Sequence, residues 1–131
     1  MAQAGEKPLN FIRSVPGSGS KNISTSLNRV KLVFDKNVVN DSVWANNRTQ
    51  IRMWKDGQKI AARVTRIKDT VDFSQRQNIY VKPAAGFSAN TKYTIIVYPD
   101  LSSKNGEKLG KSVVITFTTG KGAKPAPIPQ E

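Results

Sequence analysis

The sequence predicts an all-β fold, a sandwich of about seven to eight antiparallel strands. Apolar residues alternate with polar ones at a period of two in several short runs, among them Val30–Phe34, Tyr93–Val97 and Val113–Phe117. Turn-forming pairs such as Pro16-Gly17 and Asp56-Gly57 separate the runs. Short strands at this spacing are typical of two sheets that pack over one core.

The alternating runs follow one another along most of the chain, which contains no convincing long amphipathic helix. The segment that departs from the alternation is Asn37–Asn47, whose pattern allows a helical turn. In chain order the predicted strands are Leu9–Val15, Val30–Phe34, Gln50–Trp54, Ile60–Thr65, Ile79–Val81, Tyr93–Val97 and Val113–Phe117.

Asp56-Gly57 predicts a hairpin with a two-residue type I′ loop, because both positions of that loop need positive φ. The turn sets a register with the pairs Lys55–Gln58, Trp54–Lys59, Met53–Ile60, Arg52–Ala61, Ile51–Ala62 and Gln50–Arg63. The apolar pairs of this register fall on one face, so the turn and the hydrophobic pattern agree.

Tyr93 follows a turn-forming cluster and begins a strand. In β-sandwiches a tyrosine at such a place buries its ring, while its hydroxyl bonds to backbone a few residues upstream, an arrangement called the tyrosine corner. We therefore predict a structural role for Tyr93, and likewise for Asp56 and Gly57.

The composition excludes several classes of chemistry. The chain has no cysteine and no histidine. It therefore has no disulfides or thiolate sites, and it lacks the commonest general base and transition-metal ligand. Carboxylates such as Asp69 and Asp72, which share a predicted loop, do not supply the roughly six clustered oxygens that calcium needs. We expect no catalytic residue, no metal and no cofactor.

The net charge of +12, from 21 Lys and Arg against 9 Asp and Glu, favours anionic partners. Candidate partners are nucleic acid, anionic cell-wall polymer, acidic glycan and lipid headgroups. The basic residues are spread along the chain and form no separate basic arm. The alternative is that the charge only keeps the domain soluble.

The outer face of the predicted hairpin is the candidate binding site, formed by Arg52, Trp54, Lys59 and Arg63. A tryptophan among cations can stack on a sugar ring while the cations hold an acidic group. The alternative is that Trp54 and Lys59 form an ordinary cross-strand pair. Trp44 is the other candidate for a core tryptophan.

The composition also suggests domain boundaries: a disordered segment over residues 1–8, the sandwich over 9–120, and a Pro- and Gly-rich tail or linker over 121–131. No apolar stretch approaches the ~20 residues that a membrane helix needs. No signal peptide is recognised in this chain. The Pro- and Gly-rich tail favours a monomeric domain that is part of a longer exported protein at the cell surface, and the alternative is an intracellular protein.

Several segments occur in an order typical of one family: Val15-Pro16-Gly17, Val30–Val38, Asp56-Gly57, Phe87–Val97 and Phe117–Gly120. Over about Leu9 to Gly120, the sequence resembles the bacterial Ig-like domains of S-layer proteins and other cell-surface proteins. The resemblance implies an Ig-like or fibronectin-III-like sandwich in an extracellular, often tandem protein, with no catalytic residues.

The first functional hypothesis is accordingly a non-catalytic spacer or adhesion module of a bacterial cell-surface or secreted protein. It lies beside neighbouring domains, and its candidate ligand is an anionic polysaccharide or cell-wall polymer. Two alternatives remain: a basic β-domain that binds nucleic acid, and an accessory domain of a surface hydrolase. The lack of clustered aromatic residues on one strand argues against nucleic acid, because single-strand binders stack bases on several rings.

Overall fold

The computed structural model describes residues 8–121, which fold as two β-sheets packed face to face. The predicted all-β sandwich is confirmed. The strands are β1 Phe11–Val15, β2 Ser20–Ile23, β3 Val30–Phe34, β4 Ile51–Lys55, β5 Gln58–Ile60, β6 Ala62–Thr65, β7 Asn78–Pro83, β8 Lys92–Val97 and β9 Val113–Thr119. The single α-helix of the described chain, α1, spans Asp41–Asn47, and 3-10 turns span Arg48–Gln50 and Phe73–Gln75. The predicted terminal segments lie almost entirely outside the described residues.

The sheets contain four and five strands, in the orders β1-β3-β7-β6 and β2-β9-β8-β4-β5. The described chain thus has nine strands, more than the seven to eight expected. One extra strand is β2, which follows the Pro16-Gly17 turn and was not among the predicted strands. Gly19 adopts a φ of 86° and donates its N–H to the carbonyl of Thr116 over 2.6 Å. The chain can therefore leave β1 in one sheet and join β9 in the other.

The β2–β9 pair is parallel, so the expectation of uniformly antiparallel strands was wrong at this edge. β1 pairs antiparallel with β3, and β2 continues the same edge of the sandwich in the opposite sheet. A strand that changes sheets can meet a parallel partner, which alternation along the sequence does not reveal.

The Asp56-Gly57 hairpin has positive φ at both turn residues, 48° and 86°. β4 and β5 pair with Met53 opposite Ile60 and Trp54 opposite Lys59. Beyond Ile60 the predicted register is wrong, because the chain crosses at Ala61 and β6 pairs with β7 in the other sheet. Residues 60, 62 and 64 face the shared interior in either sheet, so the alternation continues unbroken across the change.

The core lies between the sheets and takes side chains from both. Its fully or almost fully buried members include Val30, Leu32, Phe34, Ile79, Val81, Met53, Tyr93, Ile95, Val97, Ile115 and Phe117. Since each buried Leu, Ile or Val contributes about 1.5–3 kcal/mol, this shared interior dominates the stability of the sandwich.

Tyr93 combines full burial with one hydrogen bond. Its side chain is 0% exposed, and its hydroxyl accepts the backbone N–H of Ser88 over 2.7 Å. The ring stacks on Phe117 with 5.7 Å between centroids and meets Phe87 edge-on at 5.2 Å. This is the geometry of a tyrosine corner, and it fixes the connection between β7 and β8.

Helix α1 closes one end of the sandwich through a buried asparagine. Asn47 is 0% exposed, and its amide group donates to the carbonyls of Val38 and Ser102 over 2.8 Å each. Its side-chain oxygen accepts the N–H of Ser102 over 2.9 Å. The Asn47 side chain thereby supplies hydrogen-bond partners to backbone groups of two loops, and these groups are not paired in a sheet.

The first and last strands place the chain's entry and exit at opposite ends of the sandwich. At the end that carries α1, here called the helix end, Leu9 donates its N–H to the carbonyl of Lys108. At the end that carries the Asp56-Gly57 turn, the hairpin end, Gly120 donates its N–H to the carbonyl of Ile23. The described chain therefore runs through the domain from end to end.

Replacing Tyr93 with Phe should lower the free energy of unfolding by about 1–3 kcal/mol, because the Ser88 N–H loses its acceptor. Urea denaturation measures the change. Tyr98→Phe is the matched control, since Tyr98 is half-exposed, and it should cost less than about 0.5 kcal/mol. Equal stabilities of the Tyr93 variant and the wild type would refute the role given to this hydroxyl.

Gly57→Ala should cost about 1–2 kcal/mol, because an L-residue is strained in the left-handed region. A Cβ at Gly57 meets no atom within 4 Å, so the cost is one of backbone conformation. Gly17→Ala is the control, since φ is not positive there and the nearest atoms to its Cβ lie 3.9 Å away. Thermal unfolding should separate the two variants, and identical melting temperatures would contradict the turn assignment.

Candidate functional site

The predicted site residues do not all meet. Arg52, Trp54 and Lys59 share the outer face of the five-stranded sheet, with Trp54 opposite Lys59 on one side and Thr94 on the other. Arg63 lies on β6 in the four-stranded sheet, opposite Lys82. The sandwich core thus separates Arg63 from the other members of the predicted site.

The hairpin face offers a half-buried Trp54 between neighbouring strands. Toward the helix end, the Arg52 guanidinium lies 5.4 Å from the centre of the Tyr98 ring. A cavity of about 410 Å³ beside these two residues is also lined by Asp100. An anion in this cavity would meet a carboxylate as well as a guanidinium.

Trp44 packs half-buried against the core from α1. The Arg66 guanidinium lies 5.2 Å from its ring centre and forms a 2.7 Å ion pair with Asp41. Arg66 also donates to the Val39 carbonyl over 2.6 Å, and its side chain is only 15% exposed. This arginine is a fixed part of the structure and joins the long 66–77 connection to the helix.

A second charged surface lies on the outer face of the four-stranded sheet. We call it the basic face, and its cations are Arg13, Arg29, Lys31, Arg63 and Lys82. Arg63 lies directly opposite Lys82, and Lys31 lies opposite Tyr80. No strand of the described chain contains Asp or Glu. The salt bridges found within residues 8–121, Arg66–Asp41 and Lys108–Asp100, do not include these cations.

One cation of the basic face is held in place by an aromatic ring. The Arg29 guanidinium lies 3.8 Å from the centre of the Tyr80 ring, a cation–π distance. Tyr80 is only 7% exposed, and its hydroxyl donates to the Gln75 side-chain oxygen over 2.6 Å. Burial and the hydrogen bond to Gln75 therefore fix the Tyr80 ring. The Arg29 guanidinium that lies on this ring has few alternative positions.

Two adjoining cavities of about 410 Å³ each open beside this arginine and share Asn28, Arg63 and Lys82. We call the pair the basic groove. The first cavity is also lined by Arg29 and Arg66, and the second continues along the 25–28 loop to Phe87. Within residues 8–121, no carboxylate lines either cavity. The groove can hold anionic groups by charge and hydrogen bonding.

Sequence reasoning missed the basic groove although its residues follow the strand pattern. Arg63 and Lys82 stand at outward positions of β6 and β7, but 19 positions separate them along the chain. Only the strand order brings β3, β7 and β6 side by side. The alternation identified outward cations, and the missing information was which strands are neighbours.

The carboxylates take structural positions. Asp69 accepts the side-chain amides of Asn37 and Asn40 over 2.9 Å each, which ties the 66–77 connection to the start of α1. Asp72 accepts the N–H of Ser74, and Glu107 accepts the hydroxyl of Ser103. Within residues 8–121, no group of three or more His, Cys, Asp or Glu is placed to hold a metal ion.

The two-sheet sandwich is consistent with the protein family that the sequence matches. A family described as bacterial Ig-like domain matches residues 5–119. The chain belongs to this family. The family resemblance inferred from the sequence is thereby confirmed.

A solved structure similar to this Ig-like domain is the N-terminal part of the bacterial S-layer protein SbsC, with a TM-score of 0.58 and 14% sequence identity. The similarity covers 87% of this chain but only 24% of the SbsC chain, so the domain spans about a quarter of that structure. No curated protein matches the sequence. In the described chain of the Ig-like domain, no helix is long and apolar enough to cross a membrane.

Asp69 gives the stability of this Ig-like domain an acid-side pH dependence. Hydrogen bonds from Asn37 and then Asn40 hold the pKa of the Asp69 carboxyl below its usual value. A depressed folded-state pKa stabilises the fold above the ordinary value of about 3.9, and the contribution is lost as pH falls through the folded-state pKa. Asp69→Asn should thus destabilise the domain at pH 7.

The stability gap between wild type and Asp69→Asn should narrow as the pH is lowered from about 5 toward 3. Urea unfolding at a series of pH values measures it. A gap that stays constant over this range would show that ionisation of Asp69 does not contribute.

Proposed function

We propose that this Ig-like domain is a non-catalytic spacer module of a bacterial cell-surface or secreted protein. The supporting observation is the position of its ends: the chain enters at the helix end, beside Lys108, and leaves at the hairpin end, beside Ile23. A domain with opposed ends adds its full length to a multidomain chain. Strands β8 and β9 are each about 20 Å long at the usual rise per residue.

The strand pairing suits a domain that carries tension. β1 starts at the helix end and is held by β3, while β9 finishes at the hairpin end and is held by β2 and β8. Hydrogen bonds between strands lie across the strand axis. Tension applied along the domain therefore loads many of these hydrogen bonds at the same time, in shear. The strands cannot separate by breaking one hydrogen bond after another.

Family membership and structural likeness support the location. The family is one of bacterial Ig-like domains, and the solved neighbour is part of a protein named as a bacterial S-layer protein. The proposed role is to separate neighbouring domains of a longer exported chain, as a monomer within that chain. Adhesion through Arg52, Trp54 and Lys59 stays a prediction. Its support is that these three side chains lie together on one face of the five-stranded sheet.

Single-molecule pulling tests the spacer role. Because the chain has no cysteine, Pro8→Cys and Lys121→Cys provide attachment points at the two ends. Pulling between them should require high force, since it loads β1–β3 and β2–β9 in shear, and unfolding under force follows the unfolding barrier.

Attachment through Ala89→Cys and Lys121→Cys is the matched control. Both residues lie at the hairpin end, where tension opens the β8–β9 pair one hydrogen bond at a time from Lys92 and Thr118. We expect the unfolding force to be several-fold lower in this direction. Equal forces in both directions would contradict a domain built to carry load from end to end.

A further inference from the structure

We propose that the basic groove binds the phosphate groups of a linear phosphodiester polymer of the bacterial cell wall. The inference goes beyond the spacer role, and the choice of a wall polymer rests on the proposed surface location. Its basis is a continuous cationic groove on the four-stranded sheet, away from the hairpin face where the sequence pointed.

The first step is the charge of the groove. Arg29, Arg63 and Lys82 line it from adjacent positions, with Arg63 and Lys82 directly paired across β6 and β7. Like charges on directly opposed strand positions repel one another in the free domain. A bound anion relieves that repulsion, so the domain gains more from an anionic ligand than isolated surface cations would.

The second step is order within the groove. Arg29 rests on the Tyr80 ring, and Arg66 is held by Asp41 and the Val39 carbonyl. Ordered guanidinium groups lose little conformational freedom on binding, and their planar donors match phosphate oxygens. The groove therefore contains fixed guanidinium donors in addition to the ammonium group of Lys82.

The third step is the shape. The two cavities join through Asn28, Arg63 and Lys82 and continue past the 25–28 loop toward Gly86, so the groove is elongated. A single phosphate would contact only part of it. A flexible chain with an anionic group in every repeat can contact both cavities, and each contact adds to affinity.

Nucleic acid shares the phosphodiester chemistry but fits the groove less well. Proteins that bind single strands stack the bases on exposed rings. The Tyr80 ring is covered by Arg29, and Phe87 packs against Tyr93 and Phe117 in the core. Among the described residues, the groove thus offers several phosphate contacts but only the half-buried Phe87 ring for stacking, which favours a polymer that has no bases.

The test uses poly(glycerol phosphate) as the probe and calorimetry or fluorescence anisotropy as the readout. Arg63→Gln with Lys82→Gln should weaken binding about tenfold and reduce the salt dependence of log K by about 0.7 per cation removed. Lys21→Gln with Lys92→Gln is the matched control, with the same loss of charge at two exposed positions of the opposite sheet, and should change affinity less than about twofold.

Equal losses of affinity for poly(glycerol phosphate) in the two double variants would overturn the proposal, since binding would then depend on net charge alone. Tighter binding of an oligothymidylate with the same number of phosphates would also overturn it, in favour of nucleic acid. Thermal unfolding verifies that the variants fold. Arg63→Gln alone, at an exposed position, should give a smaller loss in the same direction. Failure of the wild type to bind would refute the groove while leaving the pulling result intact.

Discussion

The arrangement of both sheets depends on the burial of one phenol ring. Tyr93 lies between Lys55 of β4 and Phe117 of β9 in the five-stranded sheet, and its hydroxyl reaches back to Ser88. Ser88 belongs to the connection that brings the chain from β7 in the other sheet. A buried hydroxyl without a partner costs free energy, so the ring and the loop hold each other in one position. The chain's exit at Gly120 is placed by the same corner, because Asn90 donates its N–H to Gly120.

The sequence predicted features that depend on neighbours in the chain, and it failed where the decision was non-local. The Asp56-Gly57 turn and the inward position of Met53 follow from local conformation and alternation. The crossing at Ala61 does not, because inward residues stay inward when a strand changes sheets. The same limit hid β2, whose four residues carry little apolar pattern and are held mainly by pairing with β9.

The charged surface shows this limit most clearly. Arg63 was predicted beside Arg52 and Trp54, yet it lies beside Lys82 on the other sheet. The composition gave the sign of the charge, and the strand order gave its location. Among the described residues, the carboxylates lie outside all strands, so the outer faces carry cations and the acids serve loops and turns. This separation cannot be seen from a net charge of +12 alone.

The outermost strands of the sandwich are short. β5 has three residues, β2 and β6 have four each, and β1 has five. A short edge offers few free backbone groups to a strand of another molecule, which limits edge-to-edge pairing. Copies of this domain at high local density therefore have little tendency to exchange strands or aggregate. The same holds for copies that refold beside one another after being stretched.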